Sequence, residues 1–174
     1  DRNFVIYDAD DQLAVVKRAI RDIDLDEKQW KPRSIHYLIS KAKNEMITPE
    51  KSQTRTYQDE IAARVYERYQ QILVQNNALD FDDLLVETYR LLRENDEVRD
   101  KYKGTFRHVM VDEYQDTNTC QYELVRLLAG ISGAFTAVGD DDQSIYAWRG
   151  ARPENLAQLQ RDFPRLRLIK LERN

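Results

Sequence analysis

Apolar positions along this chain recur at two spacings. One is helical, with apolar side chains three and four residues apart. The other is a short unbroken run that ends abruptly in acids. The helical spacing comes first. Leu13, Val16, Ile20 and Ile23 line one face of a predicted helix that Asp8 or Asp10 caps. A second helix is predicted from Pro32, a good first-turn residue, with Ile35, Leu38, Ile39, Ala42 and Met46 along it until Thr48-Pro49 breaks it. A third runs from Tyr57 to Gln75 with Ile61, Val65, Tyr69 and Ile72 inward, and Asn76-Asn77 ends it. Ahead of all three, Phe4-Val5-Ile6-Tyr7 is a short apolar stretch. Residues 79–94 predict a further amphipathic helix, with Asp80, Asp82 and Asp83 at its start and Leu84, Leu85, Leu91 and Leu92 as its stripe. These acids read as structural. A short helix follows over 96–102.

The second spacing then takes over. Val109-Met110-Val111 ends in Asp112 and Glu113, as a buried parallel strand does when it delivers acids to its carboxyl end. Phe135-Thr136-Ala137-Val138 repeats the pattern and ends in Gly139-Asp140-Asp141-Asp142-Gln143. Between them, Tyr122, Val125, Leu128 and Ala129 fall at helical spacing, with Asn118 as the start cap and Gly130 as the stop. Strand, helix, strand with polar residues at the same end of both strands predicts a βαβ unit in a parallel sheet. Pro153 opens a helix through about Asp162, Pro164 ends it, and the alternating run Leu166–Leu171 predicts a third strand.

Composition narrows the class. Among 174 residues, 41% are hydrophobic and 33% charged, as in an ordinary globular protein. One cysteine, Cys120, excludes an internal disulfide and suits a reducing compartment such as the cytoplasm. No run approaches membrane-spanning length. Residues 1–76 hold 13 basic and 13 acidic side chains, whereas 77–174 hold 14 and 18. A global basic field for coating nucleic acid is excluded, so any grip on DNA is local. Lys41, Lys43, Lys51 and Arg55 are candidates for phosphate contact, with a solvated charged face as the alternative.

The candidate chemistry lies at the two predicted strand tips, where open α/β sheets bind ligands. Asp112 suits Mg²⁺, which takes oxygen ligands and keeps part of its water shell. Glu113 suits the orienting and deprotonation of a water that attacks a phosphate. The alternative is a plain acidic loop. Gln143 is placed to contact the same phosphate or water, or else is a turn residue. Tyr146 and Trp148 are stacking platforms for bases or core aromatics. Arg149 is a partner for a phosphate, a base or an acid of its own domain.

VDEYQDTN at 111–118, followed by VGDDDQSIYAWRGA at 138–151, resembles the Rep/UvrD/PcrA-type DNA helicases of superfamily 1. LDFDDLL at 79–85 and LERN at 171–174 are similar to further segments of that family, although Arg173 stands where relatives often have Gln. The resemblance implies a partial RecA-like parallel sheet with flanking helices, preceded by a small all-helical subdomain. Residues 1–77 would be that helical insertion, and 78–174 the later half of the first RecA-like motor domain. It implies ATP and Mg²⁺ as cofactors, with Asp112 on the metal and Glu113 and Gln143 in catalysis. Gln115, Asp116 and Asp140 would bind ATP or couple its site to neighbouring loops. Tyr146, Trp148 and Arg149 would meet single-stranded DNA near a duplex junction, with travel 3′ to 5′.

A phosphate-wrapping P-loop needs glycine followed by lysine. None of Gly104, Gly130, Gly133, Gly139 or Gly150 is followed by Lys. The family carries that loop upstream, so the expectation is an internal segment of a helicase that neither hydrolyses ATP nor unwinds DNA alone. Two alternatives stay open: a non-catalytic DNA-binding or regulatory module derived from a helicase, and the motor part of a helicase–nuclease. The sequence leaves the oligomeric state open.

Overall fold

The computed structural model describes residues 3–129, 135–140, 158–159 and 161–169. The chain divides into two compact units, Asp1–Arg90 and Leu91–Asn174.

In the first unit, strand β1 (Val5–Tyr7) is followed by helices α1 (Ala9–Asp22), α2 (Pro32–Asn44) and α3 (Tyr57–Gln75), then strand β2 (Ala78–Asp80) and helix α4 (Phe81–Glu94), whose last turn passes the unit's end at Arg90. Local chemistry sets the starts. Asp8 caps α1 in a reciprocal capping box with Asp11, and Thr56 caps α3 in the same way with Asp59. Pro32 occupies the first turn of α2. The three helices bury one joint core of Val16, Ala19, Ile20, Ile35, Ile39, Ile61, Val65, Tyr69 and Ile72.

The unit is not all-helical, as the sequence had implied. β1 and β2 pair in parallel, Val5 opposite Ala78 and Tyr7 opposite Asp80. Asn77 makes the entry into β2 in the left-handed region at φ 49°, a conformation Asn tolerates. Its carbonyl accepts the Val5 N–H at 3.0 Å. The unit therefore runs past residue 77, to Arg90, because β2 and the start of α4 pack back on α2 and α3.

What holds them there is a buried ion cluster. Lys43 is 2% exposed, so the phosphate contact expected of it is closed to it. Its Nζ donates to Asp80 Oδ2 at 2.6 Å and to Asp83 Oδ1 at 2.7 Å, and lies 5.0 Å from the Tyr69 ring centre. The Tyr69 hydroxyl donates to Asp80 Oδ2 at 2.8 Å. The Asp83 N–H donates to Asp80 Oδ1 at 2.8 Å and the Asp80 N–H to Asp83 Oδ2 at 3.2 Å, so the two acids also cap α4 reciprocally. One ammonium serves two carboxylates. Burial alone would push Asp80 up, but Lys43 and these donors hold it below the usual carboxylate range. Burial pushes Asp83 up, with Asp80 adding to it.

In the second unit, helix α5 (Asp96–Thr105) leads to strand β3 (Val109–Val111), helix α6 (Thr119–Ala129) and strand β4 (Phe135–Ala137). β3 and β4 are parallel neighbours, Val109 opposite Phe135 and Val111 opposite Ala137. The expected βαβ unit is thus present. Its core gathers Tyr114, Tyr122, Ala129, Phe135 and Leu159, with Phe135 and Phe163 edge to face at 4.8 Å.

Three expectations fail in detail. β3 is not buried on both faces, since Met110 is 75% exposed while the core lies against Val109 and Val111. Leu91 on α4 is exposed rather than part of the buried stripe. Residues 166–169 form no strand, and Leu168 and Ile169 are exposed. Alternation records a period of two, but a strand also needs a hydrogen-bonded neighbour. The remainder of that run, like the LERN segment, lies outside the described residues.

Removing the ammonium tests the cluster. Lys43→Met leaves buried carboxylates without a counter-charge and is expected to cost about 3–5 kcal/mol at neutral pH, read by urea unfolding. Asp80, depressed in the native state, contributes stability above the ordinary carboxylate value near pH 4. That contribution fades as pH falls through its lower native value. In Lys43→Met the acids are stable only when protonated, so the deficit should shrink on acidification from pH 7 toward pH 4. A deficit that stays constant contradicts this reading.

Candidate active site

The register of β3 and β4 decides which residues share an edge. Because Val111 stands opposite Ala137, the two chains leave the sheet side by side. The ladder even continues past the strands. The Val138 N–H donates to the Val111 carbonyl at 2.8 Å, and the Tyr114 N–H to the Val138 carbonyl at 2.9 Å. Asp112 and Glu113 therefore emerge beside Val138, Gly139 and Asp140, at the carboxyl end where the sequence placed them.

Asp112 and Glu113 are both exposed. Asp112 Oδ1 accepts the Glu113 N–H at 2.9 Å. Glu113 itself sits in the left-handed region, φ 49° and ψ 43°. A glutamate there costs on the order of 1–3 kcal/mol, and such strain gathers where a side chain must be aimed. A single 3₁₀ turn follows over Tyr114–Asp116. Beyond it Asn118 Oδ1 accepts the Gln121 N–H at 2.9 Å and the Asn118 N–H donates to Gln121 Oε1 at 3.0 Å, so the predicted cap of α6 is present as a reciprocal pair.

Gln115 is the residue that joins the tips. It is 5% exposed. Its Nε2 donates to Glu113 Oε2 at 2.6 Å, and its Oε1 accepts the Asp140 N–H at 3.0 Å. The amide orientation is forced, because a backbone N–H can only donate. Gly139 makes room for it. A Cβ there would stand 2.7 Å from Gln115 Oε1 and 3.3 Å from the backbone nitrogens of Gln115 and Tyr114. Sequence reasoning grouped Gln115 with the site but gave it no geometry, and it missed why residue 139 is glycine.

Behind the tips, the Tyr122 hydroxyl donates to Asp162, and Arg126 lies 3.6 Å from the same carboxylate. Burial, aided by that carboxylate, pushes the Tyr122 and Tyr114 phenols well up. The Tyr114 hydroxyl and Asp116 Oδ1 are buried without hydrogen-bond partners among the described residues. Buried polar atoms of that kind are ordinarily met by water or a ligand group. Among the described residues no group of three or more His, Cys, Asp or Glu side chains converges as a metal cage. Mg²⁺ carried by a nucleotide needs none, since one or two carboxylates plus phosphate and water oxygens complete its shell. The hard oxygen donors at this edge fit that demand.

Of the sequence-predicted site residues, Asp112, Glu113, Gln115, Asp116 and Asp140 are thus brought to one edge. Gln143, Tyr146, Trp148 and Arg149 lie outside the described residues.

Two parallel strands joined by a helix, with acids gathered at their carboxyl tips, define an α/β unit of the kind in which ligands bind beyond the strand ends. Residues 1–164 match the model of the UvrD/REP helicase N-terminal domain, and the chain belongs to that family. It is 48% identical over 174 residues to the ATP-dependent DNA helicase Rep of Escherichia coli (strain K12), covering 99% of this chain and 26% of that protein. It is 43% identical over 176 residues to the ATP-dependent DNA helicase PcrA of Staphylococcus aureus (strain Mu50 / ATCC 700699), covering 100% of this chain and 24% of that one. The chain thus spans about a quarter of the length of these curated relatives. No helix among the described residues is long and apolar enough to cross a membrane.

The packing of Gly139 on Gln115 has a measurable consequence. Gly139→Ala is expected to cost about 1–3 kcal/mol. In a Gln115→Ala background the cost should be smaller, with a coupling of about 0.5 kcal/mol or more in a urea double-mutant cycle. Additive costs would contradict the contact.

Proposed function

We propose that this chain supplies the hydrolysis edge and the DNA-coupling segment of an ATP-dependent DNA helicase that moves 3′ to 5′ along single strands. Family membership supports the class. The one observation that carries the site is the joining of the β3 and β4 tips, acid pair on one and Asp140 on the other, through Gln115. In this reading β3 and β4 are neighbouring strands of a RecA-like sheet, and helices α1 to α3 of the first unit belong to the insertion that precedes its later half.

Asp112 holds the Mg²⁺ of bound ATP, directly or through water. That ion, when bound, neutralises the phosphate charge that builds up during transfer. Glu113 accepts the proton of the attacking water and orients its lone pair. It is suited to this by exposure at the tip and by its backbone and side-chain restraints. Gln143 contacts the γ-phosphate or that water. Asp116 and Asp140 tie the nucleotide edge to neighbouring loops. Tyr146 and Trp148 stack on bases of single-stranded DNA, each worth roughly 1–3 kcal/mol, and Arg149 meets a phosphate or base. Lys41, Lys51 and Arg55 are exposed on the first unit, where duplex phosphates are within reach of such side chains.

The test is Glu113→Gln in the full-length protein. Turnover of ATP should fall by about 10²-fold or more, as loss of a general base does, while nucleotide binding by fluorescence titration stays within a few-fold. Retained turnover removes Glu113 from the role of base. These 174 residues alone, with no glycine–lysine step among them, are expected to show no ATPase activity.

A further inference from the structure

We infer that Gln115 is a positioning residue through which the segment leaving β4 controls the carboxylate of Glu113, so that DNA stimulation of hydrolysis passes through its side-chain amide. The inference rests on the proposed roles of Glu113 and of the segment beyond Asp140, and deepens them.

Four observations carry it. The Gln115 amide is buried and has one partner on each tip, Glu113 Oε2 at 2.6 Å and the Asp140 N–H at 3.0 Å. The Asp140 partner is backbone, so any shift of the β4 exit moves the amide itself rather than a flexible side chain. The seat is tight, because Gly139 approaches so closely that a Cβ would overlap Gln115 Oε1. The far partner is poised to respond. Glu113 is exposed and held in a left-handed backbone, and its side chain accepts a hydrogen bond from Gln115. Residues 141–149, which include Gln143 and the Tyr146, Trp148 and Arg149 proposed above to meet DNA, follow Asp140 directly in the sequence. A pull on that segment thus reaches Glu113 through two hydrogen bonds. An amide suits this, because its oxygen accepts from the backbone N–H while its nitrogen, a separate atom, donates to the carboxylate.

A glutamate in its place can accept from the N–H but, as a carboxylate, has no hydrogen to donate to Glu113. An alanine breaks both links and leaves the backbone unchanged.

The experiment uses the full-length protein, with steady-state ATP hydrolysis measured with and without a single-stranded oligonucleotide. Gln115→Ala should lower the DNA-stimulated kcat at least ten-fold and bring the ratio of stimulated to unstimulated rates close to one. The KM for ATP should stay within about two-fold, which also reports a folded nucleotide site. The near-isosteric Gln115→Glu keeps an acceptor for the Asp140 N–H but loses the donor to Glu113, and should lose the stimulation as Gln115→Ala does while holding the KM for ATP, a kcat-against-KM split that a purely structural role would not give. An unchanged stimulation ratio in either variant overturns the inference. If Glu113→Gln keeps its turnover, the failure belongs to the proposed function instead.

Discussion

The arrangement of the second unit depends on the in-register parallel pairing of β3 and β4. Three residues of each strand fix the pairing, and two backbone hydrogen bonds carry it beyond the strands. A slip of one residue would turn Val109 and Val111 away from the core and carry the acid pair out of line with Gly139 and Asp140. The core and the site edge are therefore set by the same register. Tyr114 and Phe135, buried beneath the tips, fix it from the apolar side. Gln115 fixes it from the polar side. Strain at Glu113 persists because both sides over-determine the backbone between them.

The first unit solves a different problem. Its two short strands are 73 residues apart in sequence, and neither has the length to hold a sheet by itself. The three-helix core brings them close, and the Lys43 cluster locks β2 and α4 onto α2 and α3. Such a cluster adds little net stability relative to an apolar replacement, but it punishes any arrangement in which one member is missing. A unit of mostly amphipathic helices gains from that, since apolar stripes alone tolerate sliding of one helix over another.

The helices were legible because their signals are local. Apolar spacing and flanking residues placed α3 at Tyr57–Gln75, and Asp8, Pro32 and Asn118 marked starts that the caps obey. The βαβ unit was legible for the same reason. What stayed hidden is non-local. Val5 and Ile6 are exposed and form a strand only through partners far along the chain. Lys43, two residues from the exposed Lys41, looked like another surface cation. Nothing in the spacing foretold that two acids 37 and 40 residues later would bury it. At the site, the acids could be named from the sequence, whereas the two-sided use of Gln115 and the clearance at Gly139 exist only when both tips are placed together.

The proposed function requires that the tips of β3 and β4, joined through Gln115, meet one phosphate together. The most direct measurement is a structure of the full-length protein with Mg²⁺ and a non-hydrolysable ATP analogue. The account predicts Asp112 on the metal or its water. It predicts Glu113 and Gln143 on opposite sides of the terminal phosphate, with Gln115 still bridging Glu113 to the Asp140 N–H. A terminal phosphate bound away from these tips, or a Gln115 amide turned out of the bridge, would contradict it.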